Sequence, residues 1–235
     1  MKKQIIAFGS GALFLTMVAA SAAAGPLDFW RPKGKDVQLT KKVRDCEQVI
    51  KDLMRGTGKD IPKNMLKDAE AVVIFSDSVR AGLLVTGQFA QGVALVKTGF
   101  GDWSAPAFFR MSGVGVGLQI GGDVSDVVFV VTGKEGIGNL LESRFTMGAD
   151  ASAAAGQKGR QVKASTNSKT HMIAYGRSKG LFAGMSFDGA VLKHDAGANQ
   201  KYYGKKLTAR EILLEGKAPK TAEAADLIST LKKHS

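Results

Sequence analysis

The sequence predicts an α+β fold, in which a strongly curved, antiparallel, glycine-rich β-sheet, a barrel or a bowl, is packed with helices from its N- and C-terminal ends. Three observations predict it. Apolar residues recur at helical intervals over 38–55 and then at strand intervals from Ala71. The strands that follow are joined by stretches too short for a helical crossover, so neighbours run antiparallel. Glycine supplies 29 of the 235 residues, and inside strands it marks tight curvature or the close approach of another backbone.

In chain order, residues 1–24 read as a secretory signal peptide: Lys2 and Lys3, an apolar run from Ile5 to Ala20, then Ala22, Ala23 and Ala24 as a small-residue cleavage site. Residues 25–37 form a linker whose only adhesive side chains are Phe29 and Trp30. The helix over 38–55 places Leu39, Val43, Cys46, Ile50, Leu53 and Met54 on one stripe. Lys41, Arg44, Lys51 and Arg55 fall near the opposite pole. A helix lying flat in a membrane keeps its cations beside the apolar stripe, where they reach headgroups. This pattern therefore favours packing against a core. Pro62 starts a second short helix.

Strands are expected at 71–76, 81–87, 92–99, 104–110, 113–121 and 125–133, then a helix at 136–144, and strands again at 145–156, 171–178 and 180–195. In the strand at 113–121, Gly113, Gly115 and Gly117 share one face as bare backbone for a close approach, while Val114, Val116, Leu118 and Ile120 share the other. The reading that fits this best is an architectural packing surface. Thr208 and Glu211 have capping-box spacing ahead of Ile212, and a last helix runs from Thr221 to Lys233. The main domain thus spans 38–216, with a helical tail at 217–235.

Net charge is +12. Outside the cytoplasm such a surplus attracts lipid headgroups and acidic glycans rather than nucleic acid. The single cysteine, Cys46, allows no internal disulfide. Chemistry is poorly represented. The stretch from Thr132 to Leu141 has neither a Walker spacing nor a dinucleotide fingerprint, and Gly184 to Gly189 is one residue too long for a nucleophile elbow. His171, His194 and His234 belong to no metal or triad pattern. No catalytic residue, cofactor or metal is expected. Basic turns are the better constellation: Lys158 and Arg160 in one glycine-bearing loop, Arg177 and Lys179 around another, place cations and free amides where a phosphate headgroup would bind.

The segments AVVIFSDSVRAGLLVTGQFAQGVALV, WSAPAFFRMSGVGVGLQIGG, DVVFVVT, FTMGADASAAAGQKGRQ, SKGLFAGMSFDGAVL and NQKYYGKKLTAREIL arrive in the order seen in SYLF domain proteins, and together they resemble that family over about residues 38–216. The resemblance implies a curved glycine-rich β domain packed with helices, binding of acidic phospholipids and, in fungal members, of actin. An exported chain makes actin an implausible partner. The expectation is therefore a non-enzymatic periplasmic protein, peripheral to a membrane, that binds anionic phospholipid; the alternative is an envelope structural module that holds a protein partner on the same sheet.

Overall fold

Long apolar strands that alternate toward two cores build a single antiparallel sheet covered by helices on both faces. The structure, a computed structural model, describes residues 36–55, 66–82, 85–116, 121–142, 145–146, 172–178 and 189–235. Its strands are β1 (Ala71–Gly82), β2 (Val85–Val96), β3 (Ala107–Val116), β4 (Gly121–Val131), β5 (Phe145–Thr146), β6 (Met172–Ser178) and β7 (Val191–His194). Their order is β5-β7-β3-β2-β1-β4-β6, and every neighbouring pair is antiparallel. Among the described residues β5 and β6 are the edges, so these strands form an open sheet rather than a closed ring. The helices are α1 (Val37–Arg55), α2 (Lys134–Leu141), α3 (Ala196–Tyr203), α4 (Ala209–Leu213) and α5 (Ala222–His234).

The two cores follow from period-two alternation. Val72, Ile74, Val93, Leu95, Phe108, Val128 and Val130 point to the face covered by α1, α3 and α5. Ala71, Val73, Phe75, Phe109, Met111, Val127 and Phe129 point to the other, covered by α2 and α4. The predicted stripe of α1 faces the core: Leu39, Val43, Cys46, Ile50 and Leu53 are buried, Met54 packs beside them partly buried, and Val49, not foreseen, is buried with them. Cys46 lies 3.4 Å from the Ile74 carbonyl, and burial pushes its thiol up to about 12. The apolar stripe of α1 is therefore spent on the core.

The structure differs from the sequence reading in its strand boundaries. The expected strand at 81–87 is divided between two elements: β1 runs unbroken from Ala71 through Asp77 and Ser78 to Gly82, and 85–87 open β2. Likewise β2 continues through Gln88 and Gln91, and β3 through Arg110 to Ser112. Short polar residues inside a strand resemble turns in sequence, but here Gln88, Arg110 and Ser112 are paired on both sides, and the strand resumes its pairing after the irregularity at Asp77. The part of the second helix that is described, Leu66 to Asp68, is a turn. Helix α3 was not foreseen, since its sequence AGANQKYY has almost no apolar face; it starts because the Asp195 carboxylate caps the Ala198 amide at 3.0 Å. The expected signal peptide, residues 25–35 of the expected linker and the expected strand at 180–187 lie outside the described residues, and Val37, placed in the linker, already belongs to α1.

Trp103 and Ser104 shape the connection from β2 to β3. The indole is fully buried, and Lys97 Nζ stands 5.9 Å above its ring. Ser104 Oγ accepts the Val96 amide at 3.0 Å and donates to the Ala105 carbonyl at 3.0 Å, fixing the corner that the Trp-Ser-Ala-Pro stretch makes.

Candidate functional site

One extra residue in β1 completes an unusual surface among the described residues. Phe75 pairs with Gly92 and Val127, whereas Val79 pairs with Phe89 and Val124, so β1 carries one more residue between these positions than either neighbour. This is a β-bulge. Asp77 occupies it at φ 55°, with its amide donating to Asp126 Oδ1 at 3.2 Å. Lys42 reaches from α1 to Ser76 Oγ at 3.0 Å. Because side chains alternate strictly, a one-residue insertion exchanges the faces of everything beyond it. Ser78 and Arg80 turn inward on the α4 side, where Arg80 donates to Gln88 at 3.2 Å and Gln88 donates to Ser78 Oγ at 3.3 Å. Val79 turns outward on the α1 side.

The outward side then carries an apolar row across four adjacent strands: Val124 on β4 (37% exposed), Val79 on β1 (48%), Phe89 on β2 (68%) and Val114 on β3 (70%). Val79 stands directly opposite both Val124 and Phe89. A Cβ on Gly87 would lie 3.6 Å from Phe89 Cε2, so the ring leans over Gly87, the residue paired with Val114. The row is contiguous. The only other large apolar side chains found well exposed among the described residues are Val37 and Leu214.

Cations adjoin it on the same face. Arg110, two residues before Ser112 on β3, is paired with Lys193 on β7, and both are exposed. Like charges directly opposite repel, and Asp195 relieves this: its Oδ2 accepts from Arg110 Nε at 2.6 Å and from Gln91 Nε2 at 2.9 Å. Burial alone would raise the Asp195 carboxyl, but the Ala198 amide, Gln91 and Arg110 outweigh it and hold the group below the usual carboxylate range. Asn199 completes the scaffold by accepting the Phe108 amide at 2.9 Å and donating to the Asp195 carbonyl at 2.9 Å. Lys193 is left as an exposed cation on a rigid strand.

Of the residues singled out in sequence, Lys158, Arg160, Lys179 and Gly117 lie outside the described residues. Arg177 sits on β6 opposite Asp126. Gly113 and Gly115 lie on β3 in alternation, on the α4 side. A Cβ at Gly113 would come 3.3 Å from Ala190 Cα, so that glycine does serve a close approach of backbone. The tighter one is Gly92, where a Cβ would overlap the Ile74 carbonyl oxygen beside the bulge. The exposed part of β3 is therefore its valine side, not its glycine side. Sequence reasoning missed Val79, Phe89, Val124, Arg110 and Lys193: the bulge that turns Val79 out has no motif, and the others meet it only through strand register. The available signal was Phe89, a lone aromatic flanked by Gln88 and Gln91.

Groups suited to catalysis are dispersed. His194 is half-buried, burial lowers its pKa below the usual imidazole value, and its Nε2 lies 2.7 Å from Asn199 Nδ2 rather than beside a nucleophile. A cleft of about 330 Å³ opens between α3 and α4 beside His194, Gln200 and Lys206; its carboxylate, Glu211, is engaged by Lys217 at 3.0 Å and by the Thr208 amide at 2.9 Å. Among the described residues no group of three or more His, Cys, Asp or Glu is placed to hold a metal. No helix among them is long and apolar enough to cross a membrane.

Residues 112–234, just over half of the chain, match the family described as Ysc84, Las17-binding protein actin regulator. The chain is 34% identical over 185 residues to Protein YSC84 of Saccharomyces cerevisiae, a match covering 74% of this chain and 39% of that protein. It is 34% identical over 163 residues to LAS seventeen-binding protein 3 of the same yeast, covering 67% and 35%. With the human SH3 domain-containing YSC84-like protein 1 it shares 32% identity over 202 residues, covering 85% and 58%. It thus spans between about a third and three fifths of these relatives. No solved structure matches.

Proposed function

Since the chain belongs to the Ysc84 family, the SYLF domain family that its motifs resemble, we propose that it is a non-enzymatic binding module of the bacterial envelope whose ligand is an anionic phospholipid surface. The observation that carries this reading is a pair of exposed cations on an open sheet face: Lys193 directly opposite Arg110, the latter held by Asp195, in a chain of net charge +12. An exported, periplasmic protein with that surplus meets phosphate headgroups on whichever membrane it approaches. Lys193 binds headgroups in this proposal, together with the basic turns at Lys158, Arg160, Arg177 and Lys179.

Co-sedimentation with vesicles tests it. The protein is expected to pellet with phosphatidylcholine vesicles containing phosphatidylglycerol, to stay in solution with phosphatidylcholine vesicles, and to release as salt shortens the Debye length from about 10 Å at 0.1 M. Replacing Lys193 by Glu should weaken binding by about five-fold or more, the scale of one surface cation. Failure to pellet with phosphatidylglycerol at low salt would reject the reading.

A second reading is protein docking on the same sheet, favoured by the yeast relative named for binding LAS seventeen and by the family's description as an actin regulator. For an exported chain the partner would be an envelope protein rather than actin. A stoichiometric protein recovered by crosslinking, together with indifference to lipid charge, would support it.

A further inference from the structure

We infer that the row Val124, Val79, Phe89 and Val114 is the surface that enters the membrane, so that the protein engages lipid through a sheet face and not through α1; the inference rests on the lipid reading above. α1 is the obvious candidate for insertion, yet its whole apolar stripe is buried against β1, β2 and α5. Inserting it would empty one of the two cores. The row needs no rearrangement to be presented, because Phe89, Val114 and Val124 follow the alternation of their own strands and the bulge turns Val79 out beside them.

The occupant follows from shape and charge. Phe89 and Val114 are 68% and 70% exposed, which makes them knobs standing above the surface. A docked helix or strand needs a groove with walls, and interface cores match the packing density of protein interiors. Protruding side chains without a groove suit a deformable partner, and apolar knobs beside cations suit the boundary between headgroups and acyl chains. Four strands about 4.8 Å apart place the knobs on a patch roughly 15 Å wide, and Lys193 and Arg110 flank it at headgroup level on the β7 side. A second copy of this chain is disfavoured, since each copy would bring the same cations to the contact.

An environment-sensitive label tests this directly. Cys46 is fully buried and its thiol is held protonated, so a Phe89→Cys variant of the full chain takes a nitrobenzoxadiazole maleimide at position 89. On phosphatidylglycerol vesicles the emission is expected to rise several-fold and shift to the blue, whereas the same label at Glu215→Cys, an exposed position after α4, should change little. In parallel, Phe89→Ser and the isosteric Val114→Thr should each keep the melting temperature of the parent and lose vesicle affinity, about ten-fold or more for Phe89, the scale of one buried aromatic. If the parent fails to bind vesicles, the lipid reading itself falls. If the parent binds while the label at 89 is silent and Phe89→Ser binds within two-fold, the sheet-face inference is overturned and the lipid reading stands. A label at 89 that responds to an envelope protein and not to vesicles would overturn it in favour of protein docking.

Discussion

Gly92 shows how a single residue decides the architecture around the binding surface. It faces Phe75 on β1 just before the bulge, and a Cβ there would meet the Ile74 carbonyl oxygen and the Phe75 ring. Backbone cannot yield as a flexible side chain would, so Gly92→Ala should destabilise the fold by about 2–3 kcal/mol. Gly113→Ala, where a Cβ would come no nearer than 3.3 Å to Ala190, should cost about 1 kcal/mol or less. Urea midpoints of the two variants check the ordering. The sequence drew attention to Gly113 because three glycines alternate there, and it left Gly92 unremarked because one glycine between Gln91 and Val93 has no pattern. Close approach is a property of two strands in register, and register is written in the partner as much as in the strand itself. Cys46, by contrast, was legible as a core residue, since its position on the α1 stripe is set by local periodicity alone.

A reciprocal capping box ahead of an apolar pattern could be read from sequence, whereas a cap that also serves tertiary contacts could not. Thr208 accepts the Glu211 amide at 3.2 Å while Glu211 accepts the Thr208 amide at 2.9 Å, the reciprocal pair that the spacing predicts for α4. Thr208→Ala should therefore cost about 1 kcal/mol, read as a lower melting temperature. Helix α3 depends instead on Asp195, which joins β2, β3 and the helix start through Gln91, Arg110 and Ala198. Helix α5 is similarly latched by Lys220 and Lys232 to Asp102, at 2.9 and 3.0 Å. These lysines hold the Asp102 carboxyl well below its usual value, and Asp195 is also lowered. A carboxyl whose folded pKa is depressed contributes stability above its unfolded value, near 3.9, and that stability is lost as pH falls toward the folded value. The urea midpoint is accordingly expected to hold between pH 7 and about 5 and to drop below about pH 4, with a smaller drop in an Asp195→Asn variant. The strands were harder to delimit, because Gln88 and Arg110 look like breaks in a pattern that the ladder carries through, and Asp77 marks a bulge rather than an end.

At the scale of the molecule, the α+β class and the antiparallel sheet followed from the change of period at Ala71 and the short connections. What periodicity could not supply was the exchange of faces at the bulge. One inserted residue buries Arg80 and exposes Val79, so a strict alternation read from Ala71 assigns both to the wrong side. The proposed surface was hidden because it joins Val79, turned out by the bulge, to residues of three other strands that only register brings beside it, and the net charge suggested an anionic partner without a place for it. The account comes down to a sheet face on which apolar knobs and cations act together. Its most direct measurement is side-by-side co-sedimentation of the parent, Phe89→Ser and Lys193→Glu with phosphatidylglycerol vesicles over a salt series. The account predicts that Phe89→Ser weakens binding at every salt concentration without changing the salt slope, and that Lys193→Glu weakens it most at low salt and flattens the slope. Parental binding by both variants across the series would contradict it.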